Sequence, residues 1–397
     1  MKRLSFERIG IVLFCATLIG SGALTLATGM KPIAKATLSG IKTGYTSDGV
    51  GGMLEGGISG LESGVNDNVY AKNSYVNLFG LTSKILNKKY IIETNVTNSV
   101  VKDSQGKLQF VTFPVDTQPY VDKIAGIKSV LDELGTPLLY VQTPLKVING
   151  YDEMPIGITD SAETNTNHFM QQLDAAGITR LDLRENVSGE DLDLGSLFYN
   201  TDHHWTTQTA FWAVGEVVDY LKANMGIDLD PNNFYTNAEN YTSKFYEDSF
   251  LGSQGRRVGK YYGGVDDYTL MLPNYDTDYS VTINKANAST TAEGTFEDAL
   301  VKYNLLNTED IFTNRYAAYF GADFPEVIVK NKSADNDMKV LIFKDSFGLP
   351  FSAFLSTMVG ETRLLDTRYY DGDVQEYIKE YNPDLVLYVY KSINTQA

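Results

Sequence analysis

Cysteine is almost absent: the 397 residues hold one, Cys15, and it lies inside an N-terminal apolar run. The rest of the chain therefore has no internal disulfide, no cysteine-bound zinc and no cysteine nucleophile. A thiol-free body suits an exported protein whose stability rests on its core. A basic excess is missing too. Lys and Arg number 33 against 50 Asp and Glu, a net charge of −17. Such a surface repels phosphate backbones and argues against nucleic acid as a partner. Histidine is scarce, with only His168, His203 and His204, and no internal repeat is visible. What is plentiful is apolar residue (43%), enough for one large domain or one and a half, and tyrosine, with 26. Tyrosine among Asn- and Thr-rich stretches is a composition common in extracellular and carbohydrate-handling proteins.

The N-terminus gives the clearest physical signal. Lys2, Arg3 and Arg8 precede an uncharged run over residues 9–29, IGIVLFCATLIGSGALTLATG. As a helix, about 20 such residues cross roughly 30 Å of hydrocarbon. The basic flank belongs on the cytoplasmic side, which places the remainder outside. A cleaved signal peptide is the competing reading, with small residues at Ser21 and Ala23 or at Ala34 and Ala36. Residues 1–30 are thus read as a signal peptide or transmembrane anchor. Residues 31–68, rich in Gly and Ser, are read as a flexible spacer. Residues 69–397 form the globular domain.

Within that domain amphipathic helices alternate with short apolar strands. The spacing predicts helices over 117–134 and 164–176, each stopped by a glycine and followed by a strand, PLLYVQT (137–143) and ITRLDL (178–183). A third helix follows Trp205. Near the end, KVLIFK (339–344) is a strand, 347–358 a helix, TRLLDT a strand, 373–381 a helix and DLVLYVY a strand. This alternation predicts a three-layer α/β/α fold around a mostly parallel sheet. Residues 235–335 break the rhythm and read as an insertion between the core halves, either a cap over the active-site edge or a plain surface excursion.

Two stretches carry candidate chemistry. In NTDHHWTTQTAFWA, Asp202 and His204 stand two residues apart at a helix entry. An aspartate so placed fixes the ring orientation of a histidine and stabilises its imidazolium. Spacing alone leaves either His203 or His204 as base. It also leaves a metal site, or a structural pair packed under Trp205, as alternatives. In MKVLIFKDSFGLP, an apolar strand runs into Asp345, Ser346, Phe347 and Gly348, and a helix follows. That arrangement puts the Ser346 hydroxyl at the C-terminal edge of the sheet, where α/β folds place ligands. The N–H groups of Ser346, Phe347 and Gly348 are candidate oxyanion donors. The bland reading makes Ser346 a helix cap. Asp345 reads as a structural hydrogen-bonder.

TDHHW (201–205) resembles the TDxHW signature of the DHHW family and of the alginate O-acetyltransferase-like (AlgX/AlgJ-type) members of the SGNH hydrolase superfamily. KDSFG (344–348) is similar to the serine element that follows a late strand in that group. Supporting similarities lie in LESGVNDNVYAKNSYVNLFGLTSKILNK, VVKDSQGKLQF, FLGSQGRRVG and LLDTRYYDGDVQEYIKEYNPDLVLYVY. The resemblance implies an SGNH-hydrolase-like domain with Asp202 as orienting acid, His204 as base and Ser346 as nucleophile. His203 falls at the signature's variable position. The superfamily's separate glycine and asparagine oxyanion motifs are not recognisable here.

The implied activity is acetyl transfer to an exopolysaccharide or wall polymer outside the membrane, with no cofactor and no metal. A membrane-bound acyltransferase is the implied acetyl donor, since acetyl-CoA is not available there. A carbohydrate O-acetyl esterase uses the same chemistry, and a non-catalytic glycan-binding or assembly protein is the reading from a different class. Candidate substrate contacts are Trp205, Arg256, Arg257, Tyr261, Tyr262, Arg368 and Tyr369. Aromatic faces stack on sugars and arginines hold anionic groups.

Overall fold

The computed structural model describes residues 6–391, apart from Thr94, Asp191 and Asn287. It divides into two compact units, residues 1–79 and 80–397.

The first unit is dominated by α1 (Phe6–Asp67), which is broken where Asp48 and Gly49 leave helical geometry, Gly49 at φ 57°. Its N-terminal part is apolar and long enough to cross a membrane. The two arms fold back on one another along glycines. A Cβ on Gly40 would stand 2.0 Å from the carbonyl oxygen of Gly56, and one on Gly44 equally close to that of Gly52. The stretch expected as a flexible spacer, residues 31–68, is thus helical up to Asp67 on both sides of the break at Asp48 and Gly49. Glycines four residues apart put hydrogen in place of side chains along one face, so two backbones reach contact and their packing offsets the cost of glycine in a helix.

The elements after α1 follow in chain order, the first of them running across the boundary at residue 80. α2 (Lys72–Ile85) leads into β1 (Tyr90–Ile91), β2 (Val100–Lys102) and β3 (Leu108–Phe110), a small antiparallel sheet. Then come α3 (Gln118–Leu134), β4 (Leu138–Gln142), α4 (Ala162–Ala175), β5 (Arg180–Asp182), α5 (Leu183–Gly189) and α6 (Thr207–Tyr220). The middle of the chain supplies β6 (Tyr241–Phe250), α7 (Gly255–Val258), α8 (Lys260–Gly263), β7 (Asp266–Pro273), β8 (Tyr279–Lys285), β9 (Ala288–Gly294), α9 (Phe296–Leu300) and β10 (Glu326–Asn331). Last are β11 (Lys339–Lys344), α10 (Gly348–Leu355), β12 (Glu361–Leu365), α11 (Val374–Tyr381) and β13 (Leu385–Tyr390).

The main sheet has the order β5-β4-β13-β11-β12-β10-β8-β9. Its first five strands are parallel, and β10, β8 and β9 continue it antiparallel. Alternate residues of each strand serve opposite layers. Val340 and Ile342 of β11 join a core with α6 and α10, while Leu341 and Phe343 join one with α3, α4 and α11. This is the expected three-layer α/β/α arrangement with a mostly parallel sheet. The segment 235–335 differs from the insertion expected there. β6 and β7 form a separate hairpin, but β8, β9 and β10 are hydrogen-bonded into the main sheet. The reason is legible in β8, where Tyr279, Val281 and Ile283 alternate into the core, a half-buried pattern that completes a sheet rather than covering one.

Candidate active site

The site is assembled by two turns. Phe198 and Trp205 bridge as an antiparallel pair, so TDHHW forms the tip of a tight loop before α6. Asp266 ties down its base by accepting from the N–H groups of Asn200 and Thr201. Thr206 then caps α6 by accepting from Thr209 N–H. Asp202 accepts from the N–H of His204 at 3.0 Å, a local bond that turns the chain and aims the ring. The second turn follows β11. Ser346 lies two residues past the strand and two before α10, and Gly348 is required there because a Cβ would stand 2.5 Å from that of Lys344.

These turns bring together groups 142 residues apart. Ser346 Oγ lies 2.6 Å from His204 Nε2. On the other side of the ring, Nδ1 hydrogen-bonds Asp202 Oδ1. A carboxylate only accepts, so Nδ1 carries the proton and Nε2 is free to accept from the serine hydroxyl. Burial opposes the charge on Asp202, yet His204, His203 and the N–H of Ser253 hold its carboxyl well below the usual range. Asp202 Oδ2 accepts from that N–H at 2.5 Å. His203 is bonded to a different serine. Its Nδ1 pairs with Ser253 Oγ at 2.7 Å, and burial, followed by the neighbouring His204, pushes its pKa well down. Asp202, His203 and His204 offer donor atoms within 4.8 Å of one another. Most are already committed to Ser346, to Ser253 and to each other, which favours a hydrogen-bonded relay over a metal centre.

His204 is held between rings. Tyr316 stacks on one face with centroids 3.7 Å apart, and His203 approaches to 3.8 Å. Behind the loop, Lys146 donates to the carbonyls of Leu108 and Asp202 and to Gln254 Oε1. Burial lowers its pKa to about 7. Gly252 passes so close to Asp202 that a Cβ would stand 2.2 Å from the aspartate Cβ. Lys146, Gln254, Ser253, Gly252 and Tyr316 were not singled out from the sequence. FLGSQGRRVG was the only signal pointing to any of them.

The oxyanion candidates separate. Phe347 N–H donates to Asp345 Oδ1 at 2.9 Å, and Gly348 N–H donates to the Asp345 carbonyl at 3.0 Å. Both are spent inside the turn, leaving the Ser346 N–H of the three. Asp345 also accepts from Lys391 N–H, and burial raises its carboxyl pKa.

The substrate candidates divide in the same way. Trp205 is fully buried and donates Nε1–H to Tyr316 Oη, so no sugar reaches it. Tyr262 is buried too, its hydroxyl donating to the Lys88 carbonyl. Arg368 is tied by a fork to Asp366 and reaches Asp323 at 3.2 Å. These corrections share one cause: an aromatic or arginine beside a motif is equally useful for packing or for charge compensation. Arg257 pairs with Glu93 and lies over Phe110, whose ring stands 5.9 Å from His203. Arg256 reaches the Phe312 carbonyl at 3.5 Å. Tyr261 and Tyr369 are exposed.

Residues 116–249 match the family model of the SGNH hydrolase-like domain of acetyltransferase AlgX. That span contains Asp202 and His204 and stops before Ser346. Among solved structures, Bacillus cereus PatB1 with a sulfonyl adduct is 21% identical, with a TM-score of 0.61 over 77% of this chain and 98% of that one. A second PatB1 structure is 22% identical, with a TM-score of 0.61 over 74% of this chain and 95% of that one. A DHHW family protein from Eubacterium siraeum is 17% identical, with a TM-score of 0.54 over 75% and 91%. No curated protein matches the chain. The solved structures share the α/β fold of this chain, and the SGNH hydrolase-like match covers about a third of it. The stretch holding Asp202 and His204 is similar to the AlgX acetyltransferase domain.

Proposed function

We propose that this chain is an extracytoplasmic, serine-dependent O-acetyltransferase acting on a polysaccharide, with Ser346, His204 and Asp202 as its triad. The observation that carries the reading is the 2.6 Å contact between Ser346 Oγ and His204 Nε2, with Asp202 behind the ring. His204 takes the proton of Ser346 as Oγ adds to an acetyl ester or thioester carbonyl. The Ser346 N–H stabilises the oxyanion. The leaving group departs with the proton from His204, leaving acetyl-Ser346. A sugar hydroxyl then gives its proton to His204 and attacks, and collapse returns that proton to Ser346. Asp202 remains ionised throughout, matching the imidazolium charge at each step.

The similarity to the AlgX acetyltransferase domain supports acetyl as the group transferred. The apolar N-terminal helix supports a site held outside the cytoplasmic membrane, either anchored or released. Acetyl-CoA is not available there, so the donor is an acetyl carrier supplied by a membrane-bound acyltransferase. Arg256, Arg257, Tyr261 and Tyr369 are the sequence candidates left able to meet a glycan.

The test is Ser346→Ala in the full chain. Release of acetate from an activated acetyl ester and acetylation of an added oligosaccharide should both vanish. Retention of both by the variant removes the triad reading. Acetate release with no acetylated sugar, by the unaltered chain, makes the protein an esterase.

A further inference from the structure

Residues 80–92, GLTSKILNKKYII, hold three lysines and no acidic residue in a chain of net charge −17. The structure leaves Ile85, Leu86 and Ile92 exposed at 73%, 67% and 71%, with Tyr90 exposed between them. Lys84, Lys88 and Lys89 are exposed in the same stretch. Single exposed aliphatics are ordinary, but four large apolar side chains within eight residues call for a cover. Lys84 and Lys89 also come near Lys102 of β2 in space. The pKa of Lys102 on β2 is lowered by its burial and then by the charges of Lys84 and Lys89. Of the nearby acids among the described residues, Asp103 acts on Lys102 in the opposite sense and Glu93 pairs with Arg257.

Exposed aliphatics interleaved with lysines complement a surface that is anionic outside and apolar a few ångströms below. An acidic glycan would satisfy the lysines and leave Ile85, Leu86 and Ile92 in water. A lipid interface satisfies both, because aliphatics enter the acyl boundary while lysines stay among the headgroups. We propose that residues 84–92 dock the folded unit onto an anionic membrane surface, a contact separate from the N-terminal apolar helix. It does not depend on the triad being catalytic. β1 pairs with β2 and β2 with β3, and Phe110 at the end of β3 stands 5.9 Å from the His203 ring. The docking segment is thus joined to the site through one small sheet, which would keep Ser346 close to a donor emerging from the bilayer.

The test uses the full chain with Cys15→Ser and a polarity-sensitive fluorophore on Leu86→Cys, reconstituted in phosphatidylcholine vesicles with or without phosphatidylglycerol. With phosphatidylglycerol present, the emission should shift to the blue and be quenched by nitroxide-labelled lipid. Combining Lys84→Glu, Lys88→Glu and Lys89→Glu should abolish the shift without altering the circular dichroism melt. Salt at about 1 M, where the Debye length is roughly 3 Å, should reduce it. The same fluorophore on Thr290→Cys, on exposed strand β9, should stay solvent-like. Solvent-like emission from position 86 in anionic vesicles overturns the proposal. So does an equal shift at position 290, or a shift that survives the triple charge reversal.

Discussion

The Tyr316 ring lies flat against His204, with centroids 3.7 Å apart and planes 7° from parallel. Its hydroxyl accepts from Trp205 Nε1–H and donates to the Phe347 carbonyl at 3.4 Å. One buried side chain therefore touches His204, Trp205 and Phe347, the residue after Ser346. An aromatic face also favours a cation over a neutral ring, which is the form His204 takes in the transition state of the proposed reaction. Aromatic pairs are worth about 0.5–1.5 kcal/mol beyond burial, or roughly threefold to tenfold in rate. Tyr316→Leu should lower kcat by about that factor with KM little changed, and Tyr316→Phe should restore most of it. Steady-state kinetics on an activated acetyl ester, beside thermal melts, checks this.

Asp202→Asn should keep the fold and lower kcat by about 10⁴, because an amide no longer enforces the Nδ1–H tautomer. The measurement is single-turnover acetate release, with circular dichroism to show that the loop is retained.

The same carboxyl carries a pH signature. A group whose folded pKa is depressed adds stability that is fully present above its unfolded value, here 3.8, and is lost as pH falls through the folded value. The stability gap between the unaltered protein and Asp202→Asn should hold from neutrality down to about pH 4 and narrow below it. Denaturant melts across that range read it directly.

Gly252→Ala tests the close passage of FLGSQG behind the aspartate. The added methyl would meet Asp202 Cβ at 2.2 Å and Oδ2 at 2.6 Å, so one backbone must move. Overpacking of this kind costs about 1–3 kcal/mol. Loss of activity beyond the loss of folded protein would show that the displaced group is the aspartate.

Lys344 is fully buried between Asp323 and Asp366. Lys344→Met would leave Asp366 buried, with Arg368 as its one remaining cation among the described residues. Breaking a buried pair from one side costs about 3–5 kcal/mol. Equilibrium denaturation should show that loss, and a loss under about 1 kcal/mol would mean Arg368 alone balances both acids.

Much of this protein was legible along the chain because local chemistry writes local patterns. The uncharged run over residues 9–29 belongs to a helix apolar enough to cross a membrane, and KVLIFK is a strand over the residues read for it. TDHHW and KDSFG each form the turn their polar and small residues call for. What the spacing left open was whatever depends on a partner far away in sequence. Which histidine meets Ser346 depends on the loop from Phe198 to Trp205 being pinned by Asp266, more than 60 residues on. Tyr316 and Lys146 carry no motif; they matter because packing delivers them to His204 and Asp202. Trp205 and Arg368 look the same in sequence whether they face a sugar or a neighbour, and only the folded core turned one inward and forked the other onto Asp366. The glycines of residues 31–67 read as slack until a second helical arm lies against them. Periodicity and turn chemistry act over a few residues and are visible in one dimension. Burial, pairing and close approach are properties of two chain segments at once, and they exist only after folding.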